Sequence, residues 1–274
     1  MKKVLVVGAA VVTFATSAVA APPSVPMYSW TGFYVGLNAG YSWGRDSGPL
    51  TLGPFFSADG GTRLDGFIGG GQLGYNWQSQ NWVFGLETDF QGTGQSGNAS
   101  AICPGGTTTS VNGLCTPGHV GDTINDPALP VSVSLSERLE WLGTLRGRVG
   151  VLVTPTVLPY ITGGLAYGQI RVSEAVSGTN VNGTPGANGA TFTPGGGAFS
   201  NTTTKVGWTI GFGLEWLVYG NWSGKIEYLY VDLGTVSGSF PTSLTAVTGG
   251  PLIAGYSSHV TDNIVRVGFN YKLP

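Results

Sequence analysis

The stretch "TGFYVGLNAGYSWG", residues 31–44, separates into two sets when alternate letters are taken. Phe33, Val35, Leu37, Ala39, Tyr41 and Trp43 form one; Tyr34, Gly36, Asn38, Gly40, Ser42 and Gly44 form the other. A period of two is that of a β-strand, here with one apolar face and one small, polar face. The fold follows from what covers the apolar face.

The pattern recurs along the chain. Residues 66–77 set Phe67, Leu73, Tyr75 and Trp77 against Gly70, Gln72, Gly74 and Asn76. Residues 82–91 set Trp82, Phe84, Leu86 and Phe90 against Val83, Gly85, Glu87, Asp89 and Gln91. Residues 138–151 set Leu139, Trp141, Leu145 and Val149 against Arg138, Glu140, Thr144, Arg146 and Arg148. Residues 158–171 repeat it more weakly, through Ile161, Leu165 and Tyr167. Residues 205–216 set Val206, Trp208, Ile210, Phe212 and Trp216 against Lys205, Gly211, Gly213 and Glu215. Residues 222–232 set Trp222, Ile226, Tyr228 and Tyr230 against Ser223, Lys225 and Glu227. The last strand sets Val265, Val267, Phe269 and Tyr271 against Arg266, Gly268, Asn270 and Lys272.

That makes eight strands, each long enough to cross a bilayer at a tilt. Connections alternate between short (78–81, 153–157, 218–221) and long (44–63, 92–136, 173–204, 234–261). The long ones are rich in Gly, Ser, Thr, Asn and Pro, and read as four extracellular loops. The pattern predicts an all-β, eight-stranded antiparallel up-and-down transmembrane β-barrel over 30–274. A soluble barrel of the lipocalin kind has the same alternation with its apolar face inward. Eight strands enclose little more than their own side chains, so that many Trp and Phe residues would overfill the interior. Only 9% of the residues are charged, too few to clothe a soluble exterior.

The N-terminus reads as a secretory signal peptide. Met1-Lys2-Lys3 precedes the apolar run Val4–Val12 and the small-residue site Ala18-Val19-Ala20. Residues 1–20 are the expected signal and 21–29 a periplasmic segment. The route ends in the outer membrane. Cys103 and Cys115, in an exported chain, are expected to form a disulfide. With a net charge of −2 the chain is not basic, and nucleic acid is not an expected partner.

Inward charges of both signs are expected in the lumen: Glu87, Asp89, Glu140, Glu215 and Glu227 with Arg138, Arg146, Arg148, Lys225, Arg266 and Lys272. They read either as a salt-bridged plug or as the lining of a narrow solute path. Trp77, Trp82, Trp216, Trp222 and Tyr271 lie near the short turns. Tyr41, Trp43, Phe67, Phe90, Trp141 and Trp208 lie near the long loops. Two aromatic girdles account for both sets.

The segments "WTGFYVGLNAGYSWG" (30–44), "GQLGYNWQ" (71–78), "FGLETDFQG" (84–92), "EWLGTLRGRVG" (140–150), "LPYITGGLAYG" (158–168) and "VGWTIGFGLEWLVYGNWSGKIEYLYVDLG" (206–234) resemble one family. It is the small alphaproteobacterial outer-membrane barrels, the opacity-protein-like or "porin family" surface antigens. The resemblance covers every strand. It implies outer-membrane lipid and lipopolysaccharide as surroundings, the barrel insertion machinery as a partner, and host or peptidoglycan contacts. It also implies a role in envelope integrity, with haem binding or host contact in some members. Barrels of this class end on an aromatic residue; this chain ends Tyr271-Lys272-Leu273-Pro274, leaving Tyr271 or Phe269 for that part.

Two histidines mark the places where other chemistry is conceivable. His119 lies near Ser110, Asp122 and Asp126; His259 lies near Ser257, Ser258 and Asp262. Hydrolysis needs nucleophile, base and orienting acid within hydrogen-bond reach, which nearness in sequence does not supply. The chain is therefore read as a non-enzyme without cofactor or metal, and the two histidines as solvated loop residues rather than haem ligands. The preferred function is a structural barrel presenting surface loops; a narrow diffusion channel and a loop-borne binder are the alternatives.

Overall fold

The computed structural model describes residues 28–52, 56–59, 62–103, 131–178, 195–246 and 250–274. The signal peptide, Cys115, His119, Ser110, Asp122 and Asp126 lie outside these residues, and the expected disulfide with them.

Among the described residues there are ten strands: β1 (Gly32–Ser47), β2 (Pro49–Leu52), β3 (Phe56–Asp59), β4 (Arg63–Ser79), β5 (Trp82–Cys103), β6 (Val131–Val151), β7 (Val157–Gly178), β8 (Gly195–Tyr219), β9 (Trp222–Ala246) and β10 (Gly250–Lys272). The eight long ones form an antiparallel ring in chain order, closed by β1 against β10. The short β2–β3 hairpin hangs from the top of β10, through Ala254↔Leu52. Tight turns close the lower end; at Gly220 and Gln80 the backbone turns with φ of 55° and 54°. A positive first φ matches the turn to the right-handed twist of the flanking strands.

The strands run on into the segments expected as long loops. β8 and β9 each have 25 residues, more than twice what a bilayer crossing takes. Alternation there sets scattered Val, Leu and Phe residues against Ser, Thr, Ala and Gly, with no broad aromatic outer face to mark it. The barrel therefore has a lower half, belted outside by exposed apolar side chains, and an upper half rising beyond that belt.

Two irregularities reset which face is inward. Between Leu139 and Trp141 the β6–β7 register shifts, with Glu140 as the extra residue. Even-numbered residues point inward below it (Leu142, Thr144, Arg146, Arg148) and odd-numbered ones above it (Val133, Leu135, Glu137, Leu139). A second shift lies between Val260 and Thr261 opposite Gly234, whose φ of 72° suits glycine. The β8–β9 ladder also stops at Trp208↔Asp232. Above that level the two strands meet through the stacked rings of Phe199 and Phe240, 5.3 Å apart, and through Ser243 on the backbone of Gly196.

Candidate functional site: the filled lumen

The lower lumen is built from facing rows. Gly74, Glu87, Arg146 and Gly164 form one row across four strands. Gly213, Glu227, Arg266 and Gly40 form another. Each row thus places an acid beside a base and flanks the pair with glycine.

The room is used. Tyr34 lies across Gly74 and donates its hydroxyl to Glu87 at 2.7 Å. Tyr160 lies across Gly213 and donates to Glu227 at 2.9 Å. A Cβ on Gly74 would sit 2.3 Å from the Tyr34 ring, and one on Gly213 2.6 Å from the Tyr160 ring. Arg148 stands between the rings, its guanidinium carbon 5.0 Å from each centroid.

The ion pairs interlock. Arg146 meets Glu87, Asp89 (3.0 Å) and Glu227 (3.1 Å). Arg266 meets Asp89 at 2.8 Å and donates from Nε to Glu227 at 2.7 Å. Lys225 Nζ reaches Glu87 at 3.0 Å. Arg148 pairs with Glu215 at 2.8 Å and donates to Asn76 at 2.9 Å. Glu215 also accepts from Ser223 and Asn270. Four cations therefore face four carboxylates, Glu87, Asp89, Glu215 and Glu227, and all eight are buried. Burying so many charges costs several kcal/mol per ion, offset only because nearly every oxygen and proton is matched.

Three predicted members fall elsewhere. The extra residue in β6 turns Arg138 outward, where it is exposed, and places Glu140 on the outer surface, paired with Arg171 at 3.0 Å. Leu139, read as outward-facing, is buried inside for the same reason. Lys272 stands at the lower mouth, holding the Ser29 carbonyl and lying 5.0 Å over the Tyr28 ring. Tyr34, Tyr160, Asn76, Ser223 and Asn270 belong to the network but were missed. Their parity, shared with the small inward residues, is the signal that would have found them.

Below this layer the lumen is apolar, and above it an apolar cluster lies among a few buried polar groups. Below, Trp30 folds across the mouth onto Val83 and Leu158 and donates its indole N–H to Pro155 at 3.2 Å. Above, Leu135, Leu139, Val172, Val176, Val231, Leu233, Val236, Phe240 and Tyr256 pack in one cluster.

The upper half also buries acids. Glu137 accepts from Thr62 at 3.1 Å and lies against the Asp46 carboxyl. Burial first, then that neighbouring carboxyl, pushes its pKa up to about 9. Glu174 is buried, neither oxygen has a hydrogen-bond partner, and burial raises its pKa to about 7.

His259 is exposed, 3.4 Å from Asp232. Asp262, which sequence places near it, points inward and accepts from Ser42 and Gln95. His259 and Asp262, neighbours in sequence, are therefore not brought together.

Outside, Trp43, Trp77, Trp82, Trp208, Trp216 and Trp222 are exposed; Trp141 and Tyr271 are half-buried. They pair with neighbouring rings: Trp222 with Tyr271 (4.9 Å), Phe90 with Trp141 (5.3 Å) and Trp208 with Tyr230 (5.5 Å).

Residues 7–272 match the outer membrane protein beta-barrel domain. The chain belongs to that family. This barrel is 34% identical to the 31 kDa outer-membrane immunogenic protein of Brucella melitensis, over 99% of this chain and 100% of that one. It is 27% identical to the 22 kDa outer membrane protein of Rhizobium leguminosarum bv. viciae, over 91% and 81%. Among solved structures, the barrel is similar to the outer membrane protein OprG of Pseudomonas aeruginosa. That match has a TM-score of 0.41 and 11% identity, and covers 89% of this chain and 97% of the other. The barrel is an outer-membrane protein, and its family is the one the strand segments resemble.

Proposed function

We propose that this outer-membrane barrel is a closed structural element of the envelope, which anchors a rigid stalk presenting its surface segments. The observation that carries the reading is the filling of the lumen at three successive levels. Trp30, Val83 and Leu158 close the lower mouth, the neutral charge network fills the middle, and the apolar cluster packs across the upper half beside its buried acids. A conducting path needs a continuous polar lining with room for water, and ions must leave as readily as they enter. A matched network of buried pairs does neither.

The belt of exposed aromatic and aliphatic side chains on the lower half is the lipid contact of this reading. The girdle positions mark its two edges. Single-channel recording in planar bilayers tests the proposal. The refolded barrel inserts without conductance steps; reproducible steps in the wild-type protein would establish the narrow-channel alternative instead.

A further inference from the structure

The upper half holds a pocket of oxygen atoms that no cation among the described residues satisfies. Asp46, Glu137, Thr62 and Ser258 come from β1, β6, the residue before β4, and β10, and all four side chains are buried. Gly97 makes the approach possible. It pairs with Glu137 across the ladder, and a Cβ there would lie 3.2 Å from that of Thr62. With no side chain between them, Glu137 reaches over β5 to Thr62 and Asp46. The Asp46 backbone N–H donates to the Thr62 carbonyl at 3.0 Å, holding that side of the pocket in place.

Thr62 satisfies one oxygen of Glu137. Among the described residues, Asp46 Oδ1, Glu137 Oε1 and Ser258 Oγ have no hydrogen bond of good geometry, their only polar neighbours being one another. Ser258 sits beside the Glu137 carboxyl. The basic side chains nearest in sequence to Asp46, Thr62 and Glu137, namely Arg45, Arg63 and Arg138, are exposed on the outer surface, and so is His259, while Arg146, Arg148 and Arg266 are taken up by the lower network. Two facing buried carboxyls without donors are satisfied either by a proton shared between them or by a cation. Two carboxylates and two hydroxyls, with no nitrogen or sulfur, are the donor set of a hard cation.

We infer that Asp46, Glu137, Thr62 and Ser258 form a binding site for a calcium-class divalent cation in the extramembrane half of the barrel. The bound ion ties β1, β6 and β10 together one layer above the Ser42–Asp262–Gln95 hydrogen bonds.

The test is calorimetric titration of CaCl2 into the full chain refolded in detergent micelles and stripped with chelator. Wild-type protein gives one saturable site. Asp46→Asn and Glu137→Gln, which keep shape and remove charge, each weaken it at least tenfold; Ser258→Ala, which keeps both carboxyls, weakens it a few-fold. The altered gel migration of unheated barrel confirms that each variant is folded. If a carboxyl variant fails that check, the wild-type titration and Ser258→Ala decide. Absence of saturable heat in the wild type means that the carboxyl pair holds only a shared proton, and overturns the inference. So does wild-type affinity in folded Asp46→Asn, Glu137→Gln or Ser258→Ala.

Discussion

The two halves of the barrel solve the same packing problem in opposite ways. In the lower half every buried charge is answered: Arg146, Arg148, Lys225 and Arg266 face Glu87, Asp89, Glu215 and Glu227, with Tyr34 and Tyr160 donating to two of the acids. In the upper half Val, Leu and Phe fill the space, and the acids Asp46, Glu137 and Glu174 are buried without a basic partner. The wall differs too. Below, eight ladders close the ring, with one irregularity in β8–β9 between Leu217 and Tyr219 beside the turn; above Trp208↔Asp232 the β8–β9 ladder gives way to ring stacking. A ring that faces lipid must pair every backbone group, whereas a stalk in water can leave some to solvent. The outer face in turn constrains the inner one. A lower half apolar outside must be polar inside if the strand alternates, and polarity in a closed space must be self-compensating.

The sharpest way to break the lower half is to remove one of its cations. Arg146→Ala leaves Glu87, Asp89 and Glu227 short of a partner in a dry interior. It should lower stability by about 3–5 kcal/mol, read as a lower urea midpoint for unfolding in detergent. The upper half should be hurt less, and through packing. Phe240→Ala removes the ring that stacks on Phe199 and should cost about 3 kcal/mol in the same titration. It should also raise hydrogen exchange in β8 above Trp208 while leaving the lower ladder protected.

The smallest effect reads the uncompensated acids directly. The Glu174 pKa is raised from 4.5 to about 7, so the fold favours its neutral form. Its contribution is whole below pH 4.5, falls as pH rises toward 7, and is constant above. Glu174→Gln should therefore match the wild type at pH 4 and exceed it above pH 7, by about 1–2 kcal/mol after solvent screening. Unfolding midpoints at pH 4, 6 and 8 check the sign. An Arg146→Ala variant as stable as the wild type, or a Glu174→Gln variant that gains nothing at pH 8, would erase the contrast between the halves.

Much of the lower half was legible because its two faces differ so strongly. Phe33, Leu37 and Trp43 against Gly36, Asn38 and Ser42 admit one strand and one orientation. The acids and bases on the same parity, such as Glu87 and Arg146, were legible as lumen residues for the same reason. Arg138 and Glu140 were misplaced because one extra residue in β6 flips the faces, and a bulge has no signature in an otherwise regular alternation. Asp46, Glu137 and Glu174 lay in stretches whose Ser, Thr and Gly composition reads as loop. The upper strands form because their neighbours pair with them rather than because of their own pattern.

Sequence alone determined an all-β chain of eight amphipathic strands with an apolar exterior and a charge-bearing interior. Period-two alternation is local, and every strand carries its own copy. The tertiary structure alone decided which charges touch, how far the strands rise past the apolar belt, and where the parity flips. Those are properties of register between strands distant in sequence, set only when the ring closes β1 onto β10.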